Sequence, residues 1–213
     1  MKKRIYILSG LGADEGVFQL LNFFDFSPVF IKWVIPEENQ SIENYARRLL
    51  EQIDSPKPII IGLSFGGMMA TEISKLIEVE KVILISSAKT RKEIPIYYRL
   101  SSFIGIHKTI PTKILKSSNA ITNWFFGANS AFEKQLLKEI LHDTNPAFLK
   151  WAINQIVNWK NIVAAKNTYH IHGTADRILP ISGVSCDVKI KSGSHLMTLT
   201  KSEEINEILK KIL

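Results

Sequence analysis

Cysteine is nearly absent from this sequence of 213 residues, and long apolar runs are absent altogether. The single cysteine, Cys186, excludes an internal disulfide and suits the reducing cytoplasm, where we expect the protein to reside. No apolar run approaches the roughly 18 to 20 residues of a membrane-spanning helix, which argues against stable membrane insertion. Residues Ile5–Leu8 are too few for the core of a secretory signal peptide, and they predict a first strand instead.

Ligand patterns for metals and nucleic acids are also missing. The sequence has no zinc-ligand spacing, no RNA-binding signature and no basic helix with interleaved aromatic residues, so we expect no nucleic-acid partner. His170 and His172 form an H-x-H pair, and on a strand both side chains would face the same side. Because no cluster of carboxylates or cysteines completes a site there, we interpret the pair as structural and expect no metal and no organic cofactor.

Positive charge is concentrated in one stretch of the chain. The net charge is +7 at neutral pH, and residues 89–118 carry six of these seven charges. The stretch contains one acidic residue, Glu93, and its basic residues are Lys89, Arg91, Lys92, Arg99, Lys108, Lys113 and Lys116. We interpret it as a solvated basic face, and the alternative is a surface that attracts anions or a membrane.

Short apolar segments alternate with helical patterns along much of the chain. The predicted strands are Ile5–Leu8, Val29–Ile35, Ile59–Leu63, Val82–Ser86, Thr168–Ile171 and Asp187–Ile190. A helix is predicted from its N-cap Ser41 to Ile53, and Thr200 and Glu203 have capping-box spacing before a final helix. The alternation predicts an α/β fold, a predominantly parallel twisted sheet of about six strands with helices on both faces.

Residues 89–166 break this rhythm. They show no strand pattern but carry many aromatic residues in helical clusters, and no low-complexity linker bounds them. We therefore predict a helical cap insertion over residues 89–166 in a core formed by residues 1–88 and 167–213.

Ser64 stands where a predicted strand meets a predicted helix. The residues around it, Gly62-Leu63-Ser64-Phe65-Gly66, match G-x-S-x-G. So tight a turn strains the central residue, and flanking glycines avoid collisions with the strand and the helix. A serine placed there is a candidate nucleophile, and it needs a base and an orienting acid.

Candidates for both partners follow later strands. Asp176 comes just after the predicted fifth strand, in His172-Gly173-Thr174-Ala175-Asp176, and His195 comes just after the sixth, in Gly193-Ser194-His195. The chain order is therefore serine, aspartate, histidine.

These motifs resemble those of the α/β-hydrolase superfamily over nearly the whole chain. The resemblance implies a serine-hydrolase mechanism with Ser64 as nucleophile, His195 as general base and acid, and Asp176 as orienting carboxylate. It also implies an oxyanion hole built from the backbone N–H groups of Leu11 and Phe65. Ser9 stands where many members have histidine, and it would support the loop or touch substrate.

The sequence thus predicts a serine hydrolase that acts on an ester or thioester of a small-molecule acyl substrate through an acyl-enzyme. Aromatic residues of the cap, Trp124, Phe125 and Phe126, are candidates for binding the acyl group. A basic stretch facing the entrance would favour an anionic leaving group such as coenzyme A.

Three other interpretations stay open. One is an acyltransferase, and another is a ligand-binding relative of low turnover. A remote third, from Gly10, Gly12 and Gly16 after the first strand, is a dinucleotide-binding oxidoreductase, although Gly16 is one residue late for G-x-G-x-x-G. The sequence leaves the oligomeric state undetermined.

Overall fold

Six parallel strands form a single sheet. The computed structural model describes residues 2–103, 105 and 109–213, so Lys108 of the basic stretch lies outside the described residues. The strands lie in the order β2-β1-β3-β4-β5-β6, and each neighbouring pair is parallel. They are β1 (Lys3–Leu8), β2 (Phe26–Phe30), β3 (Ile59–Leu63), β4 (Lys81–Ile85), β5 (Thr168–Gly173) and β6 (Val188–Ile190). The predicted fold class is confirmed.

Helices occupy most of the chain between and after these strands. The described ones are α1 (Ile42–Leu49), α2 (Phe65–Ile73), α3 (Ile96–Phe103), α4 (Thr112–Leu115), α5 (Ala120–Phe126), α6 (Ala131–Asp143), α7 (Pro146–Asn158), α8 (Met197–Thr200) and α9 (Ser202–Ile212). Short 3-10 turns cover Glu15–Phe18, Leu50–Gln52, Arg91–Glu93 and Ile181–Gly183.

The sheet is covered on both faces because alternate residues of its strands enter two separate cores. On one face, Ile60 of β3 packs with residues of α1 and α2, among them Tyr45 and Met69. On the other face, Ile61 packs with residues of α9, among them Leu209. All five residues of β3 are buried, as expected for a central strand whose two faces are both covered.

The second strand begins and ends earlier than the apolar pattern predicts. The predicted span Val29–Ile35 is wrong, because the chain leaves the sheet after the Ile31 N–H bonds to the Ile7 carbonyl. Beyond Ile31, backbone N–H groups donate to side-chain oxygens and no longer to the neighbouring strand. The Lys32 N–H donates to Gln52 Oε1 (2.9 Å), and the Val34 N–H donates to the Tyr45 hydroxyl (3.0 Å). Ile31, Trp33 and Val34 therefore pack in the same core as residues of α1, as part of a loop, whereas Ile35 is exposed.

Helices α3 to α7 lie between β4 and β5, in the stretch predicted to be helical. Two of them contact loops that follow β2 and β1. Trp151 of α7 donates its indole N–H to the Gln40 carbonyl (2.7 Å), and Thr144 at the end of α6 lies against Gly12. The division into a core and a cap stays a prediction.

The last helices differ from the prediction at one joint. Thr200 ends α8, and its hydroxyl lies on the Leu196 carbonyl (3.5 Å), so it does not cap α9. The N-cap of α9 is Lys201, which makes no side-chain capping bond. The predicted capping box is therefore wrong. Over the residues described, none of the helices combines the length and the apolar character needed to cross a bilayer.

Candidate active site

Ser64 is held at the joint of β3 and α2 with a positive φ (φ 53°, ψ −120°). A Cβ on Gly62 would lie 2.5 Å from the Gly66 carbonyl oxygen, and a Cβ on Gly66 would collide with the backbone of β1. The Ser64 N–H donates to the Ile85 carbonyl (2.9 Å), and the Ser64 carbonyl accepts from the Ser87 hydroxyl (2.6 Å). These contacts fix a strained residue at the carboxyl end of β3.

His195 joins Ser64 to Asp176. Its Nε2 lies 2.8 Å from Ser64 Oγ, and its Nδ1 lies 2.8 Å from Asp176 Oδ2. Because an ionised carboxylate only accepts, Nδ1 donates to Asp176 and Nε2 is left to accept from the serine hydroxyl. Asp176 and His195 are both buried, whereas Ser64 is half-buried. The three residues form one hydrogen-bonded row.

The loop that carries Asp176 supplies its carboxylate with hydrogen-bond partners. Asp176 Oδ1 accepts from the N–H groups of Ile178 and Leu179, each at 2.9 Å. Burial acts to raise the pKa of Asp176, but His195 and the backbone N–H of Leu179 outweigh it and hold this pKa below its ordinary value. The carboxylate is therefore charged at neutral pH and keeps His195 in the tautomer described above.

The loop after β1 lies beside the serine. A Cβ built on Gly10 would be 3.6 Å from Ser64 Cβ, and the turn is closed by the Ala13 N–H on the Gly10 carbonyl (3.1 Å). Leu11 lies within this turn. Phe65 is the first residue of α2, so its N–H has no carbonyl partner within the helix. Both N–H donors proposed for an oxyanion hole thus lie on segments adjoining Ser64.

Ser9 has a clear place in this loop. Its hydroxyl donates to the Ala13 carbonyl and accepts from the Trp33 indole N–H (3.0 Å), and the residue is buried. Of the two roles considered for it, these contacts are those of a loop support.

The three aromatic residues at the end of α5 lie in different surroundings. The ring of Phe126 meets the ring of His195 edge to face, with centroids 5.7 Å apart. Trp124 is exposed and carries the Arg177 guanidinium 4.4 Å above its ring, and Phe125 packs edge to face on Trp124. Of these candidates, Phe126 is the one for which the structure gives a contact with His195.

A cluster of aromatic rings behind the serine was missed by sequence reasoning. Trp33 lies with its ring 5.5 Å from that of Phe65 and 5.2 Å from that of Phe148, which α7 contributes. No local motif marks Trp33 or Phe148, because their contacts join segments far apart along the chain. The cluster packs α7 against Phe65, the residue that follows Ser64.

The two histidines of the H-x-H pair contact each other. His172 Nδ1 and His170 Nε2 are in direct contact at 3.3 Å, and burial lowers the pKa of both rings, that of His170 to about 3. In the described part of the chain, no three or more His, Cys, Asp or Glu side chains are grouped to hold a metal ion.

Comparison with known proteins adds a family match and several structural relatives. Residues 14–94 match the family described as an uncharacterised protein family, UPF0227. Comparison of the sequence with curated proteins gives no match.

Solved structures resemble the chain over its whole length. A bromoperoxidase from Bacillus anthracis is 18% identical with a TM-score of 0.73, covering 100% of this chain and 92% of its own. A meta-cleavage product hydrolase from Pseudomonas fluorescens is 16% identical with a TM-score of 0.70, covering 99% and 90%. A thermophilic esterase from Thermogutta terrifontis is 16% identical with a TM-score of 0.67, also covering 99% and 90%. Because this likeness spans the parallel sheet and the helices that cover it, the chain has the α/β-hydrolase fold.

Proposed function

We propose that the protein is a serine hydrolase that cleaves an ester or thioester through an acyl-enzyme. The observation that carries this proposal is the hydrogen-bonded row from Ser64 Oγ through His195 to Asp176, with both contacts at 2.8 Å. Esterase activity in one structural relative and hydrolase activity in another agree with it. The fold alone would not suffice, since it hosts many chemistries.

The first half-reaction forms the acyl-enzyme. Ser64 Oγ attacks the carbonyl carbon of the substrate while its proton passes to His195 Nε2, and Asp176 stabilises the imidazolium. The oxyanion is held by the N–H groups of Leu11 and Phe65, each worth about 10² to 10³ in rate. The bond to the leaving group then breaks, and the leaving group takes the proton from His195.

The second half-reaction frees the serine. A water molecule gives one proton to His195 Nε2 as its oxygen attacks the acyl carbon. The tetrahedral adduct collapses, the carboxylic acid leaves, and the proton returns to Ser64 Oγ. The same three side chains therefore act twice.

The acyl group that fits best is apolar and small to medium in size. Phe126 places an apolar ring beside His195, and on the same helix the rings of Trp124 and Phe125 pack edge to face on each other. Such a surface binds hydrocarbon better than a charged acyl chain.

Labelling with a fluorophosphonate probe tests this proposal. The wild-type protein should react covalently, and Ser64→Ala should lose labelling together with hydrolysis of p-nitrophenyl acetate by about 10⁴-fold or more. Ser74→Ala is a matched control, because Ser74 ends α2 and its hydroxyl bonds the Thr71 carbonyl (2.8 Å). This control should be labelled like the wild type. Labelling that persists in Ser64→Ala would refute the proposal.

A further inference from the structure

Two buried imidazoles, which the proposed mechanism does not use, lie in a row that leads to Asp176. His172 lies near the Asp176 carboxylate, and His170 contacts His172. His172 Nε2 lies 2.8 Å from the Leu179 carbonyl oxygen and 3.7 Å from Asp176 Oδ2. Its other nitrogen, Nδ1, lies 3.3 Å from His170 Nε2. Both histidines are fully buried at the end of β5.

The carbonyl contact determines the tautomer of His172. A carbonyl oxygen only accepts hydrogen bonds, so the proton of a neutral His172 must be on Nε2. Its Nδ1 is then an acceptor, which His170 Nε2 can donate to across 3.3 Å. His170 Nδ1 also lies 3.3 Å from the Ser185 carbonyl, so the single N–H of a neutral His170 donates either to His172 from Nε2 or to Ser185 from Nδ1. The shortest contact in the row is the one that His172 makes to Leu179.

Leu179 links this contact to the triad. Its carbonyl accepts from His172, and its N–H donates to Asp176 Oδ1 (2.9 Å). The peptide groups on both sides of Leu179 are thus held between an imidazole and the catalytic carboxylate. Movement of this turn would displace Asp176 from His195.

The groups that face the two imidazoles come from several segments. Asp176, His195 and Glu93 act electrostatically on His172, and Lys89 and His172 act on His170. The Glu93 carboxylate is already bonded to the N–H groups of Lys89 (2.5 Å) and Ser185 (3.1 Å). Burial opposes a charge on either ring, so the pair is neutral at neutral pH.

We propose that His172 is a positioning residue of the triad, in which its neutral Nε2–H holds the Leu179 carbonyl and with it the turn that binds Asp176. His170 reinforces this arrangement by donating to His172 Nδ1. The inference rests on the proposed function, because it assigns His172 a role only through Asp176 and His195.

Glutamine and asparagine at position 172 separate this role from simple core packing. The amide nitrogen of glutamine reaches the place of Nε2, whereas that of asparagine reaches only the place of Nδ1. His172→Gln should therefore keep kcat/KM for p-nitrophenyl acetate within a few fold of the wild type. In His172→Asn, kcat/KM should fall by about tenfold to a hundredfold, the range typical of removing a group that orients an active-site side chain. The fall should be in kcat.

The pH profile and NMR give the readouts that packing alone would not move. In His172→Asn the acid limb of kcat/KM should shift to lower pH, because a displaced carboxylate stabilises the imidazolium less. The low-field proton signal of His195 Nδ1–H should persist in His172→Gln and broaden in His172→Asn. Ile171→Val is the control, since Ile171 is buried in the opposite core, and it should lower stability without changing either readout.

The outcomes separate this inference from the proposed function. If both variants at position 172 keep wild-type kcat/KM and acid limb, or if both lose activity equally or fail to fold, the positioning role is overturned. If Ser64→Ala retains full activity, the proposed function fails and this role fails with it. Inactive Ser64→Ala beside a normal His172→Asn rejects the positioning role alone.

Discussion

Each of the two carboxylate oxygens of Asp176 accepts at least one hydrogen bond. Oδ1 accepts two backbone N–H groups, from Ile178 and Leu179, and Oδ2 accepts from His195. A buried carboxylate that lost these partners would be strongly unfavourable, so the charge and its position depend on the same contacts. At the scale of single residues, the site is therefore sensitive to small displacements of its loops.

Gly127 makes such a displacement testable. It ends α5 with φ 74°, and a Cβ added to it would lie 2.8 Å from Ser194 Oγ and still closer to Ser194 Cβ. Because Ser194 precedes His195, we expect the methyl group added in Gly127→Ala to displace the loop that carries His195. This displacement should lower kcat/KM by about tenfold or more, since the reaction rate falls steeply when catalytic groups are misplaced. Positive φ alone should cost about 1–2 kcal/mol of stability.

Gly105→Ala is the matched control. Gly105 has a similar φ of 65°, but among the residues that the structure describes a Cβ there would meet nothing within 4 Å. It should show the loss of stability in urea unfolding without the loss of activity. Equal kcat/KM for the two variants would contradict the expectation that a collision with Ser194 displaces His195.

Local signals and distant contacts explain which residues could be anticipated. The place of Ser64, with glycines on both sides and a strand before it, is encoded within five residues, and the structure brings it to Asp176 and His195 as expected from the chain order. Trp33 had no such signal, since its bond to Ser9 joins residues 24 apart. Composition suggested aromatic residues for a binding pocket, but it could not distinguish Phe126, which contacts His195, from Trp124, which is exposed.

At the scale of elements, burial on both faces made strands easy to predict, and edges made their limits uncertain. The central strand β3 was predicted with the observed bounds because all its residues are apolar or small and buried. The edge strand β2 contains Pro28, and its neighbours beyond Phe30 bond to side chains of α1 and the following turn. An apolar pattern cannot distinguish such a packed loop from a strand.

Helix α6 begins with a complete capping box. The Ser130 hydroxyl accepts from the Glu133 N–H (3.2 Å), and the Glu133 carboxylate accepts from the Ser130 N–H (3.2 Å). Ser130→Ala should lower the free energy of unfolding by about 1 kcal/mol, because one N–H of the first turn loses its partner. The far end of α6, where Thr144 meets Gly12, should be unaffected, so kcat/KM should stay at the wild-type value.

Urea unfolding followed by circular dichroism measures this change. Ser182→Ala, at an exposed serine in the turn Ile181–Gly183, is the control and should leave stability within about 0.5 kcal/mol of the wild type. A large fall in activity without a fall in stability would show that α6 influences the site in another way.

At the scale of the whole molecule, the parallel sheet brings distant segments to one edge. Ser64, Asp176 and His195 follow β3, β5 and β6, and parallel strands place their carboxyl ends on the same side. Strand alternation placed the three residues after strands, and the resemblance to α/β-hydrolases implied that they act together. The contacts of His172 were not anticipated, because its partner Leu179 belongs to a loop whose path no periodic pattern specifies.

The buried histidines also link the stability of the whole protein to pH. Burial lowers the pKa of His170 from its ordinary value of 6.5 to about 3, and His172 and Lys89 act in the same direction. The unfolded chain therefore binds a proton on His170 at a higher pH than the folded protein does. The resulting stabilisation is complete above about pH 6.5 and is lost progressively as the pH falls toward about 3.

His170→Gln tests this linkage, because it removes the titrating ring and keeps an amide donor. Between about pH 6 and pH 4, a single such proton contributes a slope of up to about 1.4 kcal/mol per pH unit. We expect urea unfolding of the wild type to show this additional slope and His170→Gln to show less of it. If the stability curves of the wild type and His170→Gln run parallel over this range, His170 is not a source of the pH dependence.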